Sequence, residues 1–286
     1  MTRPSIIIVT HNRCAQLKNE IELLRRQTIP QEQFEIIVID DGSTDDTGDY
    51  LSQVADVRSA RIENSGPAKA RNAGATMARE DVLIFLDDDC MPHATWLEEF
   101  LRSFQRADAD ALGGSTSNAL PLSVMSECYH RMTDAAERLL NSTTVVYCTG
   151  NHFGIRANVF RSIGGFSDEY RVGGEDRDLV LRMSMNGYRV AFDAQISMPH
   201  AHRFTATSFL RHFWKFGEGS YILRKKFPPS ILRPANVSVS QMIRMVVASA
   251  GPPWDMRSPF LLLLACLLQS IITLSFIFSW ITNGRR

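Results

Sequence analysis

Three consecutive carboxylates, Asp87, Asp88 and Asp89, directly follow the apolar run at residues 82–86. Adjacent like charges repel, and apolar neighbours raise that cost by lowering the local dielectric, so a cation is expected beside them. Because alternate residues of a strand share a face, we predict that Asp87 and Asp89 together hold Mg²⁺ or Mn²⁺ while Asp88 points away. The alternative is helix capping, but the Thr-x-x-Glu capping box at residues 95–98 would cap the following helix without the triplet.

A second acidic turn, Asp40-Asp41-Gly42-Ser43, follows another apolar run. A short acidic side chain at such a strand end can accept a hydrogen bond from a nucleotide base or a ribose hydroxyl. The same residue types also form turns for purely local reasons, so a plain turn is the alternative. Arg71, on a short helix, is predicted to neutralise a diphosphate, and its alternative is an ordinary surface arginine.

Glu175 and Asp176 sit in a glycine-rich loop ahead of a helical pattern. A carboxylate there either caps the helix or acts as a general base that takes a proton from an acceptor hydroxyl. His200 and His202 offer a further metal ligand or a phosphate contact, and a pair of core or exposed histidines is the alternative.

The elements that position these side chains follow from the hydrophobic pattern. Residues 5–10, 34–39 and 81–86 are strand-like apolar runs, separated by segments with helical spacing. This alternation predicts an α/β fold with a mostly parallel twisted sheet flanked by helices. Ligands of such sheets collect at the carboxyl ends of the strands, so we expect Thr10, Asn12 and the two acidic turns to meet at one rim.

Five segments together resemble the family 2 glycosyltransferases, which have the GT-A fold. The segments are SIIIVTHN at 5–12, VIDDGSTD at 38–45, GPAKARNAG at 66–74, FLDDD at 85–89 and GGEDRDL at 173–179. Their order and spacing also match the family, over about the first two hundred residues.

The resemblance implies a role for each matching residue. Asp89 would bind the metal directly, Asp87 would mainly face the ribose and sugar, and Asp176 would be the catalytic base, with Glu175 beside it. The implied donor-binding residues are Thr10, Asn12, Asp40, Asp41, Arg71 and Asp87, and the implied acceptor side includes Gly150, Asn151 and Gly165.

These roles imply inverting, metal-dependent transfer of a sugar from a nucleotide-diphospho-sugar to an acceptor hydroxyl, with Mg²⁺ or Mn²⁺ as cofactor. The Gln-x-x-Arg-Trp motif of processive synthases is absent, which favours transfer of one sugar or a short extension. Two other functions stay open. The same acids suit Mg²⁺-dependent phosphoryl or nucleotidyl transfer. The other is a non-catalytic, membrane-tethered nucleotide-sugar binder, and the intact set of Asp41, Asp87, Asp89 and Asp176 argues against it, because a degenerate copy would be free to lose the base.

Composition narrows the partners. The formal net charge is zero, which gives no support for a nucleic-acid binder. The five cysteines are scattered without a C-x-x-C pair, so we expect reduced thiols and no zinc site. We predict a catalytic domain at residues 1–202, with a nucleotide-binding half at 1–113 and an acceptor-binding half at 114–202.

The C-terminal part of the sequence suggests membrane contact. Residues 203–257 are rich in basic and aromatic side chains, and residues 259–281 carry no charge. We therefore predict a membrane-proximal segment at 203–257 and a transmembrane or membrane-embedded helix at 258–282. The N-terminus lacks a signal-peptide core, so the catalytic domain is expected on the cytoplasmic side of the cell membrane. Its location suggests a lipid-linked acceptor in polysaccharide or glycolipid synthesis.

Overall fold

The computed structural model describes residues 3–141, 146, 148–170, 173–232, 267, 270–278 and 281–282. The strands of this part of the chain are β1 (Pro4–Thr10), β2 (Glu35–Asp40), β3 (Arg58–Arg61), β4 (Val82–Asp87), β5 (Ala111–Asn118), β6 (His152–Arg156) and β7 (Val190–His200). Its helices are α1 (Cys14–Arg25), α2 (Thr47–Ser52), α3 (Pro67–Met77), α4 (Trp96–Ala107), α5 (Val124–Asn141), α6 (Ala157–Ser162), α7 (Glu175–Met185), α8 (Ala206–Lys226) and α9 (Pro229–Leu232). Residues 270–278 are also helical.

The strands form one mixed sheet in the order β3-β2-β1-β4-β6-β5-β7. Strands β1 to β4 pair in parallel, whereas β6 is antiparallel to both β4 and β5. The predicted α/β fold with a mostly parallel sheet is confirmed. The hydrophobic pattern missed β5 and β6, because glycines at 113, 114 and 154 interrupt the β-branched runs that identify strands.

The position of β1 creates the crevice that a ligand would use. The chain leaves β1 toward β2 and β3 on one side, and β4 lies on the other side. Where strand order reverses in this way, the loops at the carboxyl ends diverge and leave a crevice between them. Thr10 ends β1 and Asp87 ends β4 on the two flanks of this reversal.

Close packing fixes α3 on this part of the sheet. Gly74 of α3 lies against Ile7 of β1, where an added Cβ would overlap the Ile7 side chain. Ile7 faces α3, whereas its neighbours Ile6 and Ile8 point to the opposite face of the sheet, where they form a fully buried core with residues such as Val38 and Ile84. The glycine therefore lets α3, which carries Arg71, approach the sheet closely.

His152 belongs to this core and not to an exposed acceptor surface. The indole N–H of Trp96 donates to His152 Nε2 at 3.0 Å, and the other ring nitrogen lies 3.0 Å from the Ser115 carbonyl oxygen. Nδ1 therefore carries the proton and donates to Ser115. Burial lowers the pKa of His152 to about 4, so the imidazole is neutral at physiological pH.

The chain forms two compact units whose residues interleave along the sequence. The first, Met1–Ser117, Cys148–Arg171 and Glu175–His200, carries the sheet. The second comprises Asn118–Tyr147, Val172–Gly174 and Ala201–Arg286, and in it Phe209 and Phe213 of α8 pack with Cys128 of α5. The catalytic domain predicted at 1–202, with halves at 1–113 and 114–202, stays a prediction.

Most of the predicted membrane segment at 258–282 lies outside the described residues. Within the described ranges, no helix is both long enough and apolar enough to span a bilayer. The portion that is described contacts α8 through ring pairs, Trp214 with Phe278 at 5.9 Å and Tyr221 with Phe276 at 6.0 Å. The transmembrane or membrane-embedded helix at 258–282 stays a prediction.

Candidate functional site

The carboxyl ends of three parallel strands meet at one edge of the sheet. Thr10 of β1 is in register with Asp40 of β2, and Val9 is in register with Asp87 of β4. The predicted convergence of the polar strand ends is therefore confirmed.

The acidic triplet does not continue the strand alternation that the sequence suggested. Strand β4 ends at Asp87, and Asp88 and Asp89 lie in the turn that follows. Asp87 pairs with Arg71 at 2.8 Å, whereas Asp88 and Asp89 both accept from Arg13 Nη1, at 2.8 and 3.0 Å. The expectation that Asp88 points away from a shared Asp87–Asp89 face is wrong, because the period of two ends with the strand.

The capping box expected for the following helix is also wrong. Thr95 occupies the N-cap position of α4, but its side chain makes no capping hydrogen bond. Its hydroxyl instead donates to Glu99 at 2.6 Å. The triplet does not replace that cap, since its side chains are engaged with arginines and with the partners described below.

Arg71 is a buried bridge between two acidic motifs. Its Nη2 donates to Asp87 Oδ1 and its Nη1 donates to Glu175 Oε1, both at 2.8 Å, and the side chain is only 5% exposed. Burial opposes its charge, but the two carboxylates raise the pKa of Arg71 further above its usual range. The alternative of a surface arginine is wrong, and Arg71 meets carboxylates where the sequence predicted a diphosphate.

Asp176 lies beside this bridge at the start of α7. The Gly150 N–H donates to Asp176 Oδ2 at 3.2 Å, and a Cβ added at Gly150 would lie 3.2 Å from the Arg71 guanidinium. Burial, followed by the adjacent Glu175, raises the pKa of Asp176 to about 6. A carboxylate with a raised pKa in a crevice is suited to accept a proton near neutral pH.

Asp89 meets His200, which lies far away in the sequence. His200 Nε2 is 2.6 Å from Asp89 Oδ1, and both side chains are almost fully buried. Backbone contacts hold the end of β7 next to the acidic turn. The Met91 N–H donates to the Pro199 carbonyl at 2.8 Å, and Cys90 forms an antiparallel β-bridge with His200. Although burial alone would lower it, the Asp89 charge raises the pKa of His200. The structure thus brings two predicted metal ligands together.

The predicted nucleotide-binding residues of the first two strand ends hold the backbone of the loops at this edge of the sheet. The two oxygens of Asp41 accept from the backbone N–H groups of Ser65 and Gly66 at 2.7 and 2.9 Å. Asn12 Oδ1 accepts from the Thr44 N–H at 2.6 Å. Asp40 Oδ1 likewise accepts from the Ser43 N–H at 2.8 Å. These contacts shape the rim, and base or ribose recognition by Asp40 and Asp41 stays a prediction.

The residues implied for the acceptor side are mostly packed. Asn151 is 7% exposed, and Gly165 has φ +67°, with an added Cβ there meeting Asn72 Oδ1 at 2.7 Å. The Gly165 carbonyl accepts from Arg182 Nη2 at 2.6 Å. Of these three residues, Gly150 is the one described beside Arg71 and Asp176, because its N–H donates to Asp176 and an added Cβ would meet the Arg71 guanidinium.

Two residues of this region were missed from the sequence. Arg13, just before α1, donates to both Asp88 and Asp89. Glu20 of α1 is fully buried, and neither of its carboxyl oxygens has a hydrogen-bond partner among the described residues. Burial, with the nearby charges of Asp88 and Asp89, raises the pKa of Glu20 well above its ordinary value. Arg13 directly follows the motif at residues 5–12, whereas Glu20 occupies an inward position of an otherwise ordinary amphipathic helix.

Known proteins are similar to this chain in sequence and in fold. The model of the family "Glycosyl transferase family 2" matches residues 5–164. Glycosyltransferase AglE of Haloferax volcanii is 27% identical over 205 residues, which cover 70% of this chain and 67% of AglE. O-antigen chain rhamnosyltransferase WbaN of Salmonella anatum is 27% identical over 225 residues, 73% of this chain and 70% of WbaN.

A further relative is longer than this chain. Pre-mycofactocin glycosyltransferase of Mycobacterium tuberculosis is 27% identical over 245 residues, which are 82% of this chain and 52% of the relative. The chain therefore matches about half the length of that protein.

Two solved structures share the fold. The mannosyltransferase PcManGT from Pyrobaculum calidifontis, in complex with GDP-Man and Mn²⁺, aligns with a TM-score of 0.67 at 15% identity, covering 99% of this chain and 87% of that one. S. aureus TarS 1–349 in complex with UDP-GlcNAc aligns with a TM-score of 0.58 at 14% identity, covering 99% and 92%. At these identities the likeness concerns the fold, an α/β GT-A-like architecture.

Proposed function

Because the chain belongs to glycosyl transferase family 2, a family of glycosyltransferases, we propose that it is an inverting, divalent-metal-dependent enzyme. It moves one sugar from a nucleotide-diphospho-sugar to an acceptor hydroxyl in cell-surface polysaccharide or glycolipid synthesis. The observation that carries the proposal is the continuous connection of Asp87, Arg71 and Glu175 beside Asp176, with Asp89 and His200 near the same strand end.

The proposed cation site consists of Asp89 and His200. One offers a carboxylate oxygen and the other an imidazole nitrogen, and the two atoms are close enough to share one ion. An acid with an imidazole suits Mn²⁺ at least as well as Mg²⁺, with donor oxygens completing the coordination. When bound, the ion would supply Lewis-acid stabilisation of the charge on the leaving nucleoside diphosphate.

Asp176 is the proposed general base. Its raised pKa suits it to take the proton of the acceptor hydroxyl, whose oxygen then attacks the anomeric carbon as the bond to the diphosphate breaks. The Gly150 N–H holds one Asp176 oxygen, and Arg71 holds Glu175 next to it. A single displacement from the opposite side inverts the anomeric configuration, and no covalent sugar–enzyme bond is formed.

The direct test is donor hydrolysis by the full chain with Mn²⁺ and a panel of nucleotide sugars. We expect one donor to give free sugar plus nucleoside diphosphate. Sugar phosphate plus nucleoside monophosphate would instead identify a phosphoryl or nucleotidyl transferase. Donor binding without any turnover, even with acceptors supplied, would identify a non-catalytic binder.

The substitution Asp89→Ala is expected to lower Mn²⁺-dependent hydrolysis roughly 100-fold or more, because loss of even an outer-shell partner of a metal ligand typically costs about 10- to 100-fold. The matched control is Asp81→Ala, an exposed acid at the opposite end of β4, which should leave the rate unchanged. An Asp89→Ala enzyme with the same Mn²⁺ dependence as the wild type would refute the proposed role of Asp89.

We also propose that the second unit contacts the cytoplasmic face of the cell membrane and that the acceptor is lipid-linked. The support is an exposed apolar series on the C-terminal helical residues Leu267, Leu274, Ile277, Phe278 and Ile281, and the basic end of α8, Arg224, Lys225 and Lys226, in the same unit. Basic residues beside an apolar helix face suit an anionic lipid surface.

Sedimentation with vesicles tests this membrane proposal. We expect the full chain to bind vesicles with 30% phosphatidylglycerol, a composition we choose, more strongly than neutral phosphatidylcholine vesicles. The combined substitution of Leu274 and Phe278 by serine should weaken that binding about tenfold, because each exposed apolar side chain loses its favourable transfer into lipid. Equal sedimentation with both vesicle types, or no effect of the double variant, would contradict it.

A further inference from the structure

Asp88 is held by two donors from the end of β1 and the residues that follow it. Its Oδ2 accepts from the Thr10 hydroxyl at 2.7 Å, and its Oδ1 accepts from Arg13 Nη1 at 2.8 Å. The side chain is only 3% exposed. Both oxygens therefore have a donor, and the carboxylate is anchored to the end of β1.

Arg13 is shared between two carboxylates through a single nitrogen. Nη1 carries two hydrogens, and they serve Asp88 at 2.8 Å and Asp89 Oδ2 at 3.0 Å. Asp89 faces His200 through its other oxygen. Asp87 forms its ion pair with Arg71. The positive charge close to Asp89 therefore depends on whether Arg13 donates to both Asp88 and Asp89 or to Asp89 alone.

A guanidinium that pairs with a single carboxylate frequently does so in a bidentate geometry, in which two N–H groups donate to the two carboxylate oxygens. Arg13 is 36% exposed, so its side chain has room to rotate. Among the described residues, Arg13 donates to Asp88 and Asp89. Without the Asp88 carboxylate, the guanidinium could rotate until two of its N–H groups donate to the two oxygens of Asp89. A cation would then have to displace a bidentate arginine before it could reach Asp89.

We propose that Asp88 is a positioning residue, which holds Arg13 between two carboxylates and so keeps Asp89 able to bind the divalent cation. The proposal rests on the proposed function, since Asp89 is the metal ligand there. It also gives a role to the acid that strand alternation had placed away from the cation.

The test is calorimetric titration of the full chain with Mn²⁺ alone, without donor, in a double-mutant cycle. Asp88→Asn is expected to raise the dissociation constant for Mn²⁺ about tenfold, within the range of coupling between contacting charged groups. In the Arg13→Gln background the same substitution should raise it less than about threefold, because the competing guanidinium is gone. The loss of one negative charge acts in both backgrounds, so the difference between them measures the role of Arg13.

The matched control is Glu35→Gln. Glu35 has the same kind of partners, since it accepts from the Ser5 hydroxyl at 2.6 Å and from Arg58 at 2.7 Å, but it lies at the amino end of the sheet. It should leave Mn²⁺ binding unchanged. Thr10→Val removes the hydroxyl that donates to Asp88 and should raise the dissociation constant for Mn²⁺ by about threefold. This variant replaces Asp88→Asn in the test if Asp88→Asn fails to fold.

Equal effects of Asp88→Asn in both backgrounds, or no effect, would overturn the proposal while leaving the enzyme's function in place. If the wild type binds no Mn²⁺ and hydrolyses no donor, the proposed function and this inference are both overturned. If the wild type hydrolyses donors and the effect of Asp88→Asn on the Mn²⁺ dissociation constant is larger with Arg13 than with Gln at that position, both are supported.

Discussion

Replacing Asp176 by asparagine is expected to reduce sugar transfer by about 10³-fold while donor affinity stays near that of the wild type. The amide keeps the shape of the carboxylate but cannot take the acceptor proton, and general base catalysis typically contributes about 10²- to 10⁴-fold. The measurement is steady-state transfer with a saturating donor, together with donor binding by calorimetry. Asp168→Asn makes the same change on an exposed loop residue and should leave both quantities unchanged.

The same residue predicts the pH dependence. The pKa of Asp176 is raised to about 6, and the base must be ionised, so activity should rise with pH through about 6 and reach a plateau above it. Below that pH the protonated acid cannot accept a proton, and the rate should fall about tenfold per pH unit. A variant Asp176→Asn that turns over at a near-normal rate, or a profile without this acidic limb, would remove Asp176 from the role of base.

Replacing Arg71 by methionine is expected to lower the free energy of unfolding by about 3–5 kcal/mol. The change leaves Asp87 and the buried Glu175 without their shared cation, and removal of one partner from a buried ion pair exposes the full desolvation cost of the other. Urea denaturation measures the loss. Because Arg71 lowers the pKa of Asp176, the acidic limb of the activity profile should also move to higher pH in whatever fraction of the variant remains folded.

Two controls separate this effect from ordinary loss of an arginine. Arg25→Met removes a pair of hydrogen bonds to Asp56, at 2.8 and 2.6 Å, on the surface, and should cost less than about 1 kcal/mol. In the double variant with Glu175→Gln, part of the stability should return, because one of the two unpaired charges has been removed. Similar losses for Arg71→Met and Arg25→Met would mean that the buried bridge contributes little.

The local pattern of the sequence was enough to predict the parallel part of the sheet and the edge at which the polar residues meet. Strands β1, β2 and β4 are continuous apolar runs, and each is followed by a polar turn, so their direction and burial follow from the residues themselves. β5 and β6 were missed because their pairing depends on distant partners, while the glycines within them weaken the local signal.

For the site, the sequence by itself determined which residues carry charge and which strand ends they follow, because composition and periodicity are local properties. Only the tertiary structure decided the pairing. It places Arg71 on Asp87 and Glu175, His200 on Asp89, and Arg13 between Asp88 and Asp89. Each pair joins residues from separate elements, and which carboxylate receives which cation depends on side-chain direction after the strand ends and on the burial that makes an unpaired charge costly.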